Sequence, residues 1–233
     1  MPQLPASSAP VGILFDLDGT LVDSRADLAA AANAVRRAWG RPPLSDPVVA
    51  GYVGDGARAL LTRVLTHVDD PASPPASPGA EVLDRAYEVF REHYAAHLLD
   101  RTVLYPGIAD LLAALAGRSL LVVTNKPREF TLPILAGLGV LDRFAAVVAG
   151  DDVVRRKPNP DHLRAAIEAV GLPVGSCVMV GDSPNDVVAA RKLGMASVAV
   201  TWGLVAAATL RAAGPDQVAT TVPELADALQ ASA

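Results

Sequence analysis

Cysteine is almost missing from this sequence: Cys177 stands alone, so no disulfide can close within the chain. That absence fits a reducing compartment. Cys177 lies in the apolar run CVMVG, where a thiol reads as a small buried hydrophobe rather than a nucleophile. Aromatic residues are scarce as well, 4% against 51% hydrophobic, so the core must be built from alanine, valine and leucine. No basic block occurs and the formal net charge is −5, which argues against nucleic acid and anionic membranes as partners. No apolar stretch approaches the ~20 residues that span a bilayer. The opening residues, MPQLPASSAP, have neither the charged start nor the apolar centre of a signal peptide. Residues 1–10 are expected to be a disordered tail, and the protein is expected in the cytoplasm. A length of 233 residues suits one large domain or two smaller ones.

Five short apolar runs alternate with helical patterns: Val11–Phe15, Leu120–Thr124, Ala145–Ala149, Cys177–Val180 and Ser197–Val200. Their unbroken aliphatic character predicts strands buried on both faces, as in a parallel sheet. Between them, Pro106–Ala116 and Asp161–Val170 read as helices, the second preceded by Pro160. Phe130–Leu138 has a helical pattern that Pro133 interrupts. Val187–Leu193 follows Ser183-Pro184-Asn185-Asp186, a helix-capping signal. Repeated alternation of this kind predicts an α/β, Rossmann-like doubly wound parallel sheet. From about Ala26 to Leu99 the rhythm changes. ADLAAAANAVRRAW, ALLTRVLTHV and EVLDRAYEVFREHYAAHLL are helical, and DDPASPPASPG, Asp69 to Gly79, is too rich in proline to be anything but a loop. The expected organisation is therefore a core of residues 11–24 and 100–233, interrupted by an all-helical domain over residues 25–99.

Ligands of open α/β sheets bind at the carboxyl ends of the strands. The polar residues placed there are Asp16 and Asp18 after the first run, Thr124-Asn125-Lys126 after the second, Lys157 in the segment after the third, and Asp182 and Asp186 after the fourth. Four carboxylates cannot all ionise in a partly dry site without counter-charge. An oxygen-only donor set, free of histidine and cysteine, favours a hard cation, and Mg²⁺ fits best. The donors of Gly19-Thr20, Thr124 and Asn125 suit phosphate oxygens. A phosphoryl transfer through a covalent intermediate needs a carboxylate nucleophile and a second carboxyl to move protons. Asp16 and Asp18 meet that need if the chain bends at Gly19.

DLDGTLVDS, TNK, KPNP and GDSPND occur here in an order and spacing that resemble the four signature motifs of the haloacid-dehalogenase-type phosphatases. The resemblance runs from Phe15 to about Gly194, and the helical insert occupies the position of that superfamily's first-type (C1) cap. It implies that Asp16 is the nucleophile and a Mg²⁺ ligand. Asp18 would be the general acid/base, with its backbone carbonyl on the metal. Thr124 and Asn125 would hold the phosphoryl group, and Lys157 would stabilise the transferring charge. Asp182 would be a metal ligand, while Asp186 would support the metal shell or orient Lys157.

The acid at Asp18 separates this chain from the dehalogenases of the superfamily. Its three lysines, Lys126, Lys157 and Lys192, leave the insert without the cap lysine of the phosphonate-cleaving relatives. Lys126 reads as touching substrate or only flanking the site. Gly51–Leu65 and the ending TWGLVAAATLRAAGPDQV resemble bacterial phosphoglycolate phosphatases, which implies 2-phosphoglycolate as substrate. The candidate cation for its carboxylate is Arg58, helped by backbone N–H groups of Gly54–Gly56; a solvated helix residue is the competing reading. Other small phosphomonoesters (sugar phosphates or nucleotides) and sugar-phosphate mutase chemistry stay open as alternatives. So does a non-catalytic phosphate-binding protein on the same core. The expected partner is a small phosphorylated metabolite bound by a monomer or homodimer.

Overall fold

The computed structural model describes residues 10–69 and 76–230. Most of the expected N-terminal tail, and residues 70–75 of the proline-rich loop, lie outside the described residues. The chain divides into two compact units, Met1–Asp23 with Val103–Ala233 and, inserted between them, Ser24–Thr102.

The first unit is built on a parallel six-stranded sheet. Its strands are β1 (Gly12–Phe15), β4 (Ser119–Val123), β5 (Ala146–Val148), β6 (Cys177–Gly181), β7 (Ala196–Val200) and β8 (Gln217–Ala219), in the order β5-β4-β1-β6-β7-β8. Two further short strands, β2 (Val22–Asp23) and β3 (Val103–Leu104), pair antiparallel where the chain leaves for the insert and returns from it. The helices of this unit are α5 (Ile108–Ala114), α6 (Arg128–Gly137), α7 (Asp161–Ala169), α8 (Pro184–Leu193), α9 (Ala207–Ala212) and α10 (Val222–Gln230). The insert holds α1 (Arg25–Ala38), α2 (Asp46–Ala50), α3 (Ala57–Thr66) and α4 (Ala80–Ala96).

β1 is central and wholly buried, as its GILF sequence requires. One face of the sheet packs Leu14, Leu121, Val123 and Met179 against Leu163, Ile167 and Ala190 of α7 and α8. Burying each large aliphatic side chain contributes about 1.5–3 kcal/mol. Pro133 sits inside α6 all the same. It removes one helical donor, and it does so on the exposed side, while Phe130, Ile134 and Leu135 stay buried. The strand β8 escapes sequence reading because QVA is three residues long and opens on a polar side chain. Its approach is fixed by Asp216, whose Oδ2 accepts from Ser197 N at 2.9 Å and Ser197 Oγ at 3.0 Å.

In the helical unit, Leu28, Ala31, Ala32 and Val35 recur at helical spacing and form the buried stripe of α1. Arg36 is buried in that unit too. Its guanidinium donates to Pro42 O at 2.5 Å, to Val64 O at 2.7 Å and to Asp69. Asp27, also buried, accepts from Arg101 N, Thr102 N and Thr102 Oγ1 at 3.0, 2.7 and 2.8 Å, so residues 101 and 102 are tied to these helices. His93 and His97 stack with ring centroids 4.6 Å apart, and His97 Nδ1 meets Asp100 Oδ2 at 2.7 Å. No described helix is long and apolar enough to cross a membrane.

Candidate active site

Parallel register brings the site together. Phe15 pairs with Val122 on one side and Val180 on the other, so the chain segments beyond these residues leave the sheet at one edge. Asp16 follows at once, its N–H donating to Val180 O at 2.9 Å. Thr124 extends β4, its N–H on Val148 O at 3.1 Å. Asp182 follows β6, and Asp186 lies in the first turn of α8.

Asp16, Asp182 and Asp186 present carboxylate oxygens within 4.8 Å of one another. Lys157, from the segment after β5, reaches this cluster. Its Nζ donates to Val123 O at 2.6 Å and Asp186 Oδ1 at 2.6 Å, and lies 3.0 Å from Asp16 Oδ1. Burial works against the Lys157 charge, yet the carboxylates of Asp16 and Asp186 outweigh it and push its pKa upward. Burial is also the main reason that Asp16 is pushed up to about 6; Lys157 pulls it down and Asp186 pushes it further up. Asp182 is held well above the ordinary carboxylate range, first by burial and then by the charges of Asp16 and Asp186.

The cluster holds three carboxylates and one ammonium, so full ionisation leaves two negative charges uncompensated. A divalent cation matches that deficit. Asp186 is the least available ligand: Oδ1 serves Lys157, and Oδ2 accepts from Ser183 N at 3.0 Å and Ser183 Oγ at 2.7 Å, closing the capping box. Asp16 uses Oδ1 for Leu17 N at 2.7 Å and for Lys157, whereas its Oδ2 takes no hydrogen bond among the described residues. Asp182 accepts from Leu204 N at 2.6 Å and faces Thr20 Oγ1 at 3.5 Å.

Two glycines make room for Asp182. Gly19 has φ +82, and a Cβ there would collide with the Asp182 carboxylate. Gly203, in the loop after β7, would collide with the same carboxylate and with Gly19 O. The bend at Gly19 needed to present both Asp16 and Asp18 is therefore present.

The remaining motif residues take distinct places. Asp18 turns its carboxylate to Lys126, whose Nζ donates to Oδ1 and Oδ2 at 3.0 Å each. Thr124 Oγ1 accepts from Lys126 N at 3.2 Å, and Asn125 Nδ2 donates to Lys157 O at 2.9 Å. Arg58 belongs to the helical unit, where it donates to Asp84 and stands 5.8 Å over the Tyr87 ring.

Lys126, expected either to touch substrate or only to flank the site, lies within the site as the partner of Asp18. Two further contributors carry no sequence motif. His162 is buried five residues after Lys157. Its Nε2 lies 3.2 Å from both Val148 O and Ala149 O, and its Nδ1 accepts from Lys157 N at 3.4 Å. Burial, and then the Lys157 charge, lower its pKa to about 4, so the imidazole is neutral. Trp202 donates from Nε1 to Thr20 O at 3.2 Å besides meeting Tyr105 edge-on. Cys177 is buried, and burial pushes its thiol up, consistent with a packing role.

A carboxylate cluster with a buried ammonium at the carboxyl edge of a parallel sheet defines an α/β enzyme site. The family model of the haloacid dehalogenase-like hydrolases matches residues 11–194, and the chain belongs to that family. It is 39% identical over 220 residues to a phosphoglycolate phosphatase of Chromobacterium violaceum, covering 94% of this chain and 96% of the relative. It is 40% identical over 223 residues to one of Neisseria meningitidis, covering 94% and 93%. Among solved structures, one from Haemophilus somnus, called a predicted phosphoglycolate phosphatase, superposes with a TM-score of 0.85 at 31% identity, covering 94% of this chain and 96% of that one.

Proposed function

We propose that this hydrolase cleaves 2-phosphoglycolate to glycolate and inorganic phosphate. One observation carries the chemistry: the Asp16 carboxylate stands at the end of the central strand, one oxygen against Lys157 and the other without a hydrogen bond among the described residues. The substrate rests on the relatives named for phosphoglycolate, whose similarity spans the helical insert as well as the core.

In this reading Asp16 Oδ2 attacks phosphorus while Lys157 holds Oδ1 and screens the incoming charge. Asp18 gives a proton to the leaving glycolate oxygen and then takes one from the water that releases phosphate. Thr124 and Asn125 orient the phosphoryl oxygens. Asp16, Asp182 and the Asp18 backbone carbonyl would hold Mg²⁺, with Asp186 outside the ligand set because its oxygens already serve Lys157 and Ser183. When bound, the cation supplies positive charge to the transferring phosphoryl group. Arg58 of the helical unit is a further candidate for binding the substrate carboxylate.

The test is phosphate release with Mg²⁺ from 2-phosphoglycolate, sugar phosphates, nucleoside monophosphates and p-nitrophenyl phosphate. A dominant kcat/KM for 2-phosphoglycolate is expected. Preference for a sugar phosphate or nucleotide would keep the Asp16 chemistry and remove the substrate assignment.

A further inference from the structure

Both oxygens of Asp18 accept from the Lys126 ammonium, and the pair is largely buried: the side chains are 13% and 4% exposed. The proposed reaction asks Asp18 to reach the leaving oxygen of the substrate. A carboxylate gripped at both oxygens is poorly placed to do so. Lys126 is fixed in turn by its position, since it follows Thr124 and Asn125 and its N–H is bound to Thr124 Oγ1. A phosphoryl group held by Thr124 and Asn125 therefore lies next in sequence to the cation that holds Asp18.

We propose that Lys126 is the residue that reads a second anionic group on the substrate, exchanging the Asp18 carboxylate for the carboxylate of the bound phosphoester. The inference rests on the phosphoglycolate reading and adds a residue and a reason for selectivity. The exchange is between like partners, carboxylate for carboxylate, so the buried Lys126 ammonium keeps a counter-ion throughout. It draws the Lys126 ammonium away from Asp18 only when the substrate carries the second anion. An alkyl phosphate without a carboxylate fills the phosphoryl position and leaves Asp18 gripped. Selectivity then appears in turnover and not merely in binding.

The experiment compares 2-phosphoglycolate with ethyl phosphate, which lacks the carboxylate, in wild-type protein and Lys126→Met. Wild type is expected to prefer 2-phosphoglycolate in kcat. Lys126→Met should shrink that kcat ratio by roughly 10–100-fold, the worth of a contact to a charged group. Because the ratio is internal to one preparation, partial misfolding does not affect it. A wild-type preference that survives intact in Lys126→Met overturns the inference alone and leaves the substrate reading standing. A wild type with no preference for 2-phosphoglycolate overturns both.

If Lys126→Met does not fold, the three lysines of the chain allow a direct measurement. In Asp16→Asn protein labelled with carbon-13 lysine, 2-phosphoglycolate should move the ε-carbon signals of Lys157 and Lys126. Ethyl phosphate should move that of Lys157 only. A Lys126 signal unmoved by 2-phosphoglycolate, with Lys157 shifted, overturns the inference and assigns the carboxylate to another cation such as Arg58.

Discussion

His162 gives the site a built-in sensitivity to acid whose size follows from its surroundings. The imidazole is fully buried, bonds to Val148 O and Ala149 O, and takes the Lys157 backbone N–H on Nδ1. With Nδ1 accepting, the ring cannot gain a proton without losing that bond and placing a cation beside Lys157. Its folded pKa is accordingly about 4 against an ordinary value of 6.5. A histidine lowered in this way contributes stability that is complete above pH 6.5 and is lost as the pH falls toward 4. At pH 5 the unfolded imidazole is almost fully protonated and the folded one almost fully neutral, a difference worth about 2 kcal/mol. At pH 7.5 the imidazole is neutral in both states and this loss is close to nothing. The assay is urea unfolding of wild type and His162→Gln at pH 7.5 and pH 5.0. The glutamine variant is expected to be less stable at pH 7.5, since it packs less well, but its loss between the two pH values should be smaller than the wild-type loss by about 2 kcal/mol. Equal losses in the two proteins would refute the argument, whatever the baseline difference.

Three other outcomes follow from the same geometry. Asp16→Asn should abolish turnover and raise the stability of the metal-free protein, because it removes a carboxylate that burial disfavours; calorimetry alongside phosphate release checks both. Lys157→Ala should lower kcat by at least roughly 10²-fold, and Lys157→Arg should not restore it, because a planar guanidinium cannot meet Val123 O, Asp186 and Asp16 from the same buried point; steady-state kinetics decide. Mg²⁺ should raise the Tm of chelator-treated protein more at pH 8 than at pH 5, because Asp16, with its pKa at about 6, carries a proton in acid that the cation must displace; equal shifts in scanning fluorimetry would contradict the ligand assignment.

The strands that were legible in the sequence are those whose side chains leave no alternative to burial. β1, β4, β6 and β7 are runs of aliphatic residues, and the parallel register then carries Asp16, Thr124 and Asp182 to one edge without further information. β8 was invisible because its QVA sequence is held in place by Asp216 reaching Ser197, a contact between residues 19 apart. The same limit applies within the site. Motif spacing identifies which carboxylates converge, but it does not say which of them share a proton donor. Asp186 could be read either as support for the metal shell or as a partner for Lys157; its oxygens are in fact committed to Lys157 and Ser183. His162 lies on a helix face that pattern reading treats as core, and only the fold brings it under the Lys157 backbone.

The distribution of cations carries a further argument. The chain has 20 lysines and arginines, of which only Lys126, Lys157 and Lys192 are lysine. Two of these three are buried at the carboxyl edge of the sheet. Exposed ion pairs among the described residues that pair a carboxylate with a permanent cation include Arg58 with Asp84, Arg63 with Asp55, Arg128 with Asp152 and Arg155 with Asp161. A guanidinium suits such pairs because its planar fork meets a carboxylate edge-on. The site needs the opposite property. Lys157 must satisfy a carbonyl and two carboxylates that converge from three directions, and a compact ammonium with three donors does that where a flat fork cannot. Lys126 must grip Asp18 and, on the reading above, release it to a second anion, which a point charge permits without reorienting a plane. The preference for lysine at these two positions is thus explained by the geometry of the acceptors.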